Sequence, residues 1–234
     1  MDYLEEGLKK LGFLDGEFFG MKCADFFELK QKLLDYTSLL LEWNKKFDLV
    51  NAKNADEIAI RHLLDSLSGA RPLCEELFAH GFLDGEIADI GSGAGLPGIA
   101  LALALPNVKF VLVERMEKRC AFLEECIKKL SIKNAFVKKE QVERLPKGIF
   151  FAALFRAFRP LDKKMLKVLL RVLSLNGFLV AYKAKSEKIE AELSALKESL
   201  PAHKIVPLFV PFLTEESESN AEKRERNLVI IEKA

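Results

Sequence analysis

The sequence has few of the residues from which disulfide frameworks and metal sites are built. It contains four cysteines and three histidines among 234 residues. No two cysteines form a C-x-x-C pair and the histidines lie far apart, so the pattern supports neither a disulfide framework nor a metal site. We therefore expect a protein of a reducing, cytoplasmic compartment that holds no metal.

Long apolar runs and an excess of one charge are also lacking. No apolar run reaches the roughly 20 residues that a membrane span requires, and residues 1–16 do not have the basic start of a signal peptide. We therefore expect neither secretion nor a membrane partner. Lysine and arginine total 36 against 35 acids, so a nucleic-acid-binding surface would have to be local.

What the chain does have is apolar content, 50% of its residues, which is enough for a sizeable core. Apolar residues at steps of three and four predict a helix from Ala24 to Trp43 and a second from Ala55 to Leu67. We predict a helical cap over residues 1–80 and a cofactor-binding domain over residues 81–234.

After Gly81 the pattern alternates between strands and helices. Such alternation predicts a Rossmann-like α/β fold, with a mostly parallel sheet covered on both faces. The last two strands, Lys204 to Leu213 and Leu228 to Glu232, are predicted to form a terminal antiparallel hairpin. The charged segment from Glu215 to Arg226 is predicted to form a solvated loop. The other predicted elements are a strand to Ile90, a helix, a strand to Glu114, a helix from Glu117 to Leu130, strands from Ala135 to Lys138 and Ile149 to Phe155, a helix from Leu161 to Leu173, a strand from Gly177 to Lys183 and a helix from Glu187 to Leu200.

The most informative stretch runs from Asp89 to Gly98, where closely spaced glycines join a buried strand to an apolar helix. Glycines let the backbone approach a ligand, and the start of a helix offers unpaired N–H groups there. The next strand ends at Glu114, nineteen residues beyond Gly95, a distance at which a second-strand carboxylate binds ribose hydroxyls. The two signals together predict a nucleotide-cofactor site.

Two kinds of cofactor fit this turn. Gly93, Gly95 and Gly98 satisfy the G-x-G-x-x-G pattern of dinucleotide sites, so NAD or FAD has to be considered. An acid at Asp89, two residues before Gly91, is instead suited to the methionine ammonium of S-adenosyl-L-methionine. We favour S-adenosyl-L-methionine. The remaining alternative is a glycine turn that binds no ligand.

Motifs spread over nearly the whole chain resemble one known family. The glycine turn continues as Leu96-Pro97-Gly98-Ile99, and its companions are Trp43-Asn44, His62-x-x-Asp65-Ser66, Lys118-Arg119-x-x-Phe122-Leu123, Arg156-Ala157, Lys183 and Arg226-Asn227-Leu228. Together they are similar to the bacterial small-subunit ribosomal RNA guanine-N7 methyltransferases, the glucose-inhibited division protein B family. The chain departs from the usual family pattern at Asp48-Leu49-Val50, at Gln141 and at Ala184.

The resemblance implies methyl transfer from S-adenosyl-L-methionine to N7 of a guanine in small-subunit (16S) ribosomal RNA, presented as bare RNA, as the small subunit or as an assembly intermediate. It implies that Arg156, Lys183 and Arg226 act as catalytic residues by positioning the substrate. The cofactor-binding residues that it implies are Asp89, Gly91, Gly93, Gly95, Leu96, Glu114, Val142, Glu143 and Arg156.

The chemistry of guanine N7 is compatible with these residues. N7 carries a lone pair and no proton, so its methylation needs alignment and no general base. Exocyclic-amine methylases resemble one another in an Asn or Asp followed by Pro-Pro after the fourth strand, where this chain has Arg156-Ala157. Cytosine-C5 methylation needs a thiolate, and all four cysteines lie in or beside predicted helices. Arginine donors at strand ends suit the guanine O6 edge or a phosphate.

Other interpretations remain open at this point. Ion pairs with local acids are the alternative for Lys183 and Arg156. His62 and Asp65 share a helix face, and we interpret them as a structural hydrogen-bonded pair. For the whole chain the alternatives are a methyltransferase of small molecules or proteins, an NAD-dependent oxidoreductase, and a non-catalytic nucleotide-binding module.

Overall fold

The computed structural model describes residues 2–158, 161–215 and 224–233. Its helices are α1 Tyr3–Lys10, α2 Phe26–Asn44, α3 Ala55–Ile58, α4 Asp65–Leu67, α5 Ala70–Ala79, α6 Gly98–Ala104, α7 Glu117–Lys129, α8 Lys163–Val172 and α9 Ser186–Leu196, with Ala59–Leu64 wound as a π-helix between α3 and α4. Its strands are β1 Glu17–Phe18, β2 Met21–Lys22, β3 Glu86–Ile90, β4 Lys109–Glu114, β5 Ala135–Lys139, β6 Phe150–Arg156, β7 Leu173–Lys183, β8 His203–Pro207 and β9 Asn227–Glu232.

Seven strands form one sheet in the order β5-β4-β3-β6-β7-β9-β8. All neighbours pair in parallel except β9, which runs antiparallel to both β7 and β8. The carboxyl ends of the parallel strands therefore meet at one edge. Because β9 runs the opposite way, its first residue, Asn227, pairs with Lys183 at the end of β7. Chain segments before β9 and after β7 are thus brought to the same edge.

Helices cover both faces of the sheet, as the alternating pattern predicts. On one face, buried side chains of α2 such as Leu33 form a single cluster with Phe110 of β4 and Phe178 of β7. On the other face, α8 and α9 contribute Leu166 and Leu193 to a second cluster. The predicted Rossmann-like fold is confirmed. Residues 1–80 share the first cluster with the sheet, and the division at residue 81 stays a prediction.

Several element boundaries differ from those predicted. α1 and α5 were not predicted. The strand expected from Gly177 begins earlier, at Leu173, where a helix was expected to end. The strand expected to reach Leu213 ends at Pro207, and Thr214 N instead donates to Val210 O at 3.0 Å in a turn. Most of the predicted charged loop, residues 216–223, lies outside the described residues.

The described residues show no helix long and apolar enough to cross a membrane. Within the same ranges, histidines, cysteines and acids form no group that could hold a metal ion. The four cysteines are buried free thiols. Burial raises the pKa of Cys23 to about 11 and that of Cys74 to about 12, so both remain protonated and unreactive near neutral pH.

Candidate active site

A cavity of about 730 Å³ opens at the edge where the parallel strands end. It is bounded by the glycine turn after β3, by the N-terminal helices, by the ends of β6 and β7 and by the chain entering β9. The predicted site residues that line it are Gly91, Gly93, Leu96, Arg156, Lys183 and Arg226. Residues separated by more than a hundred positions in the sequence therefore share one wall.

The glycine turn leaves its backbone accessible from this cavity. Gly91 and Gly93 adopt positive φ angles, +71° and +56°, which side chains rarely allow. A Cβ on Gly91 would lie 2.6 Å from the ring of Phe158, whereas one on Gly93 would meet nothing closer than 3.7 Å. The open space beside Gly93 adjoins Arg119, another residue of the wall. The turn therefore fits a ligand placed against its bare backbone.

Glu114 ends β4 and holds this turn in place. Its side chain is only 4% exposed. Oε2 accepts a hydrogen bond from Gly93 N at 3.0 Å, and Oε1 accepts from Arg115 N at 2.7 Å and Met116 N at 2.9 Å. Glu114 is not among the described residues of the cavity wall. Its contact with a ribose stays a prediction, and its bracing of the turn is an additional role.

Asp89 has a structural role that the sequence did not indicate. It is 1% exposed, and its Oδ2 accepts from Gly98 N at 3.0 Å, at the first residue of α6. A carboxylate at a helix N-terminus satisfies an unpaired N–H and opposes the positive end of the helix dipole. Burial nevertheless raises the pKa of Asp89 to about 6, against the lowering effect of the Gly98 hydrogen bond. Its contact with a methionine ammonium stays a prediction.

The N-terminal helices also support the turn. Tyr36 of α2 is fully buried, and its hydroxyl donates to the carbonyl of Ala94 between two of the glycines. Burial raises the pKa of Tyr36 well above its usual value, so the hydroxyl stays a donor. A helix of the predicted cap therefore fixes backbone that lines the cavity.

Asp65 joins two of the predicted substrate residues. Its Oδ2 accepts from Arg156 Nη1 at 2.7 Å, and its Oδ1 accepts from Arg226 Nε at 2.9 Å. The interpretation of His62 and Asp65 as a hydrogen-bonded pair is wrong, because no hydrogen bond joins them among the described residues and Asp65 accepts from the two arginines instead. The ring of His62 instead lies 3.4 Å from Asn51 O. Burial, followed by the charge of Arg156, lowers the pKa of His62.

Lys183 is held by an acid that was not singled out from the sequence. Its Nζ lies 2.9 Å from Oε1 and 2.7 Å from Oε2 of Glu192 on α9. The ammonium also lies 5.8 Å from the ring centroid of Phe155. Glu192 therefore fixes the direction of the Lys183 ammonium and compensates part of its charge.

Val142 and Glu143 lie apart from the described wall of the cavity. They form the 3-10 turn Val142–Arg144 after β5, where Val142 is buried. Their carbonyls accept from Arg171 Nη2 at 3.3 Å and 3.1 Å. Their contact with the adenine of the cofactor stays a prediction.

Arg119 and Asn44 belong to motifs that were given no role from the sequence, and both help to form the cavity. Arg119, at the start of α7, lines the cavity, with its Nη1 3.8 Å from Glu114 Oε2. Asn44 accepts from Leu49 N at 2.8 Å and Val50 N at 3.0 Å, and its amide donates to Val50 O at 2.9 Å. Because Leu49 and Val50 line the cavity, Asn44 fixes the loop that covers one side of it.

Solved structures that share this fold include methyltransferases. A putative S-adenosyl-L-methionine-dependent methyltransferase from Methanococcus maripaludis matches with a TM-score of 0.55 at 14% identity, over 78% of this chain and 95% of that chain. A tRNA methyltransferase from Aquifex aeolicus matches with a TM-score of 0.52 at 15% identity, over 70% and 68% of the two chains. The fold is thus that of the S-adenosyl-L-methionine-dependent methyltransferases.

Sequence comparison defines the family. The model of the GidB family, rRNA small subunit methyltransferase G, matches residues 29–226. Relatives with the name ribosomal RNA small subunit methyltransferase G include one from Treponema denticola, 35% identical over 98% of this chain and 93% of the relative. Another, from Treponema pallidum strain Nichols, is 38% identical over 78% and 80%. The chain belongs to this family and is an S-adenosyl-L-methionine-dependent methyltransferase; the oxidoreductase and non-catalytic alternatives find no support.

Proposed function

We propose that this enzyme transfers a methyl group from S-adenosyl-L-methionine to N7 of a guanine in small-subunit (16S) ribosomal RNA. The observation that carries the proposal is that Arg156 and Arg226 share one cavity with the glycine turn. The turn suits the cofactor, and guanidinium groups suit the O6 edge of guanine and RNA phosphates. The names of the relatives supply the class of RNA.

The charges in the cavity wall suit a reaction without a general base. Among the described residues of the wall the carboxylates are Asp65 and Glu192, and arginine or lysine pairs with each. Both carboxylates are therefore already engaged in ion pairs. Guanine N7 attacks with its own lone pair and gives up no proton, so positioning is the main requirement. The cofactor supplies an electrophilic methyl group whose bonding electrons stay on sulfur after the transfer.

RNA with modified guanine tests the atom that is methylated. The purified enzyme is incubated with tritiated S-adenosyl-L-methionine and a 16S RNA fragment that contains either guanosine or 7-deazaguanosine. We expect transfer to the first RNA and none to the second, because 7-deazaguanine has no N7. Mass spectrometry of the nucleosides identifies the product. Equal transfer to both RNAs, or a product methylated at another atom, would contradict N7 as the target.

We also propose that the RNA is recognised within a folded ribosomal particle. With 36 basic against 35 acidic residues, the enzyme carries almost no net charge that would attract RNA from a distance. Recognition then depends on local cations and RNA shape. The test compares kcat/KM of methyl transfer to small subunits, to assembly intermediates and to bare 16S RNA at equal salt. A higher kcat/KM for bare RNA would contradict recognition within a particle. We expect an enzyme with such a substrate to lie in the cytoplasm, and cell fractionation tests this.

A further inference from the structure

Three distant parts of the chain meet at the carboxylate of Asp65. Asp65 begins α4, Arg156 ends β6 and Arg226 directly precedes β9. Each carboxylate oxygen accepts from a different guanidinium, at 2.7 Å from Arg156 and 2.9 Å from Arg226. One buried acid therefore sets the orientation of two arginines in the same cavity wall.

Because these three side chains are largely buried, each depends on the others to compensate its charge. The Asp65 side chain is 7% exposed, and those of Arg156 and Arg226 are 14% and 26% exposed. Charges that are so little hydrated depend on pairing, and removing one partner leaves the others uncompensated. Without Asp65, the two guanidinium groups would repel each other and lose their common acceptor.

Only some of the guanidinium N–H groups are used in these contacts. Arg156 donates to Asp65 through Nη1, and Arg226 donates through Nε to Asp65 and through Nη1 to Glu225 O at 2.8 Å. A guanidinium has five N–H donors in a fixed plane, so fixing one edge also fixes the direction of the rest. Both side chains line the cavity, where their remaining donors are available to a substrate.

We propose that Asp65 is a positioning residue, which aligns Arg156 and Arg226 with the guanine edge and its phosphate and offsets the positive charge that the purine gains. This inference rests on the proposed function. The negative charge of Asp65 reduces the sum of the three side-chain charges from +2 to +1. A cationic N7-methylguanine is therefore repelled less by this wall than by two unpaired arginines. Asp65 acts through the arginines and needs no contact with cofactor or guanine.

The first test is Asp65→Asn. The amide keeps one acceptor oxygen and replaces the other with an NH2 group, which cannot accept from an arginine. We expect kcat for RNA methylation to fall by about 10- to 100-fold, a larger factor than the rise in the Kd of S-adenosyl-L-methionine, because only one of the two released arginines, Arg156, neighbours the strand that carries the glycine turn. The matched control is Glu76→Gln, which alters a carboxylate that is 4% exposed and paired with Lys204 at 2.6 Å outside the described cavity wall. The control should lower the melting temperature and leave kcat unchanged.

A double-mutant cycle separates positioning from a structural role. In an Arg226→Ala background, Asp65→Asn should lower kcat by a smaller factor than in the wild type, because one of the two aligned side chains is already missing. Asp65→Glu keeps the charge but shifts both arginines by the length of one methylene, so kcat should fall even at temperatures where the variant is fully folded. Independent effects on kcat in the cycle, or wild-type kcat in Asp65→Asn below its melting temperature, would overturn the proposal.

A measurement without RNA tests whether Asp65 holds Arg226, whatever the substrate of the enzyme is. The Nε–H signal of Arg226 in ¹⁵N nuclear magnetic resonance spectra should exchange slowly with water in the wild type and faster in Asp65→Asn or Asp65→Glu. Rapid exchange in the wild type would show that Asp65 does not hold the arginine. If the wild type transfers no methyl group to ribosomal RNA, the proposed function fails, while the exchange rates still decide whether Asp65 positions the arginines.

Discussion

The carboxylate of Glu114 accepts a hydrogen bond from the backbone N–H of Gly93 at 3.0 Å, and so joins the ends of two neighbouring strands. The other carboxylate oxygen accepts from Arg115 N and Met116 N. Any substitution of Glu114 therefore changes both the predicted ribose contact and the shape of the glycine turn.

Glu114→Gln and Glu114→Ala separate these two effects. Gln keeps one acceptor oxygen, so only part of the three N–H contacts is lost. We expect it to weaken S-adenosyl-L-methionine binding by about 1–3 kcal/mol and to lower the melting temperature less than Ala does. Ala leaves three backbone N–H groups without their acceptor, so the melting temperature should fall as well. Calorimetry and thermal unfolding measure the two quantities. An unchanged cofactor Kd in both variants would remove Glu114 from the site.

Gly93→Val should abolish cofactor binding. At φ +56° a β-branched residue is strained, and its methyl groups would enter the open space against the turn. Gly16→Val is the matched control, since Gly16 has φ +78° and a Cβ added there would have no atom within 4 Å. The control should lose stability through the same strain and bind the cofactor normally. Wild-type affinity in Gly93→Val would contradict the position of the cofactor.

If Lys183 and Arg226 align the substrate as proposed, Lys183→Ala and Arg226→Ala should depress methyl transfer to ribosomal RNA by about tenfold or more, with cofactor affinity nearly intact. Arg156→Ala should lower both quantities, since β6 neighbours the strand that carries the glycine turn. Lys109→Ala is the control, because Lys109 forms an exposed ion pair with Asp84 at the opposite end of β4. Wild-type transfer rates in Lys183→Ala and Arg226→Ala would assign these cations to structural ion pairs.

Asp89→Asn should change the pH dependence of stability. The pKa of Asp89 is raised from 3.8 to about 6, so its contribution to stability is full below pH 3.8 and is lost as the pH rises through about 6. Asn keeps an acceptor for Gly98 N and avoids the buried charge. The variant should therefore gain up to about 3 kcal/mol relative to the wild type between pH 4 and pH 7.

Denaturant unfolding across that pH range checks the effect, and a pH-independent difference would contradict the raised pKa. The same variant tests the ligand contact. If Asp89 meets the methionine ammonium, the Kd of S-adenosyl-L-methionine should rise even where the protein is more stable. An unchanged Kd would leave Asp89 with the capping of α6 alone.

Some elements could be predicted because their signals are local. The helix expected from Ala24 to Trp43 is observed as Phe26–Asn44, and the helix expected from Glu117 to Leu130 as Glu117–Lys129. Their apolar stripes repeat with the period of the helix that they form. α5 was not predicted; its Pro72 lies in the first turn of the helix, where proline is tolerated.

The sequence by itself determined the alternation of strands and helices after Gly81 and the glycine turn, because both depend on neighbouring residues. Only the tertiary structure decided which side chains meet across the cavity. Asp65 lies 91 residues from Arg156 and 161 from Arg226, and no periodic pattern links positions so far apart. Their contact follows from the antiparallel direction of β9, which returns the chain to the edge where β6 and β7 end, and from the packing of the N-terminal helices beside that edge.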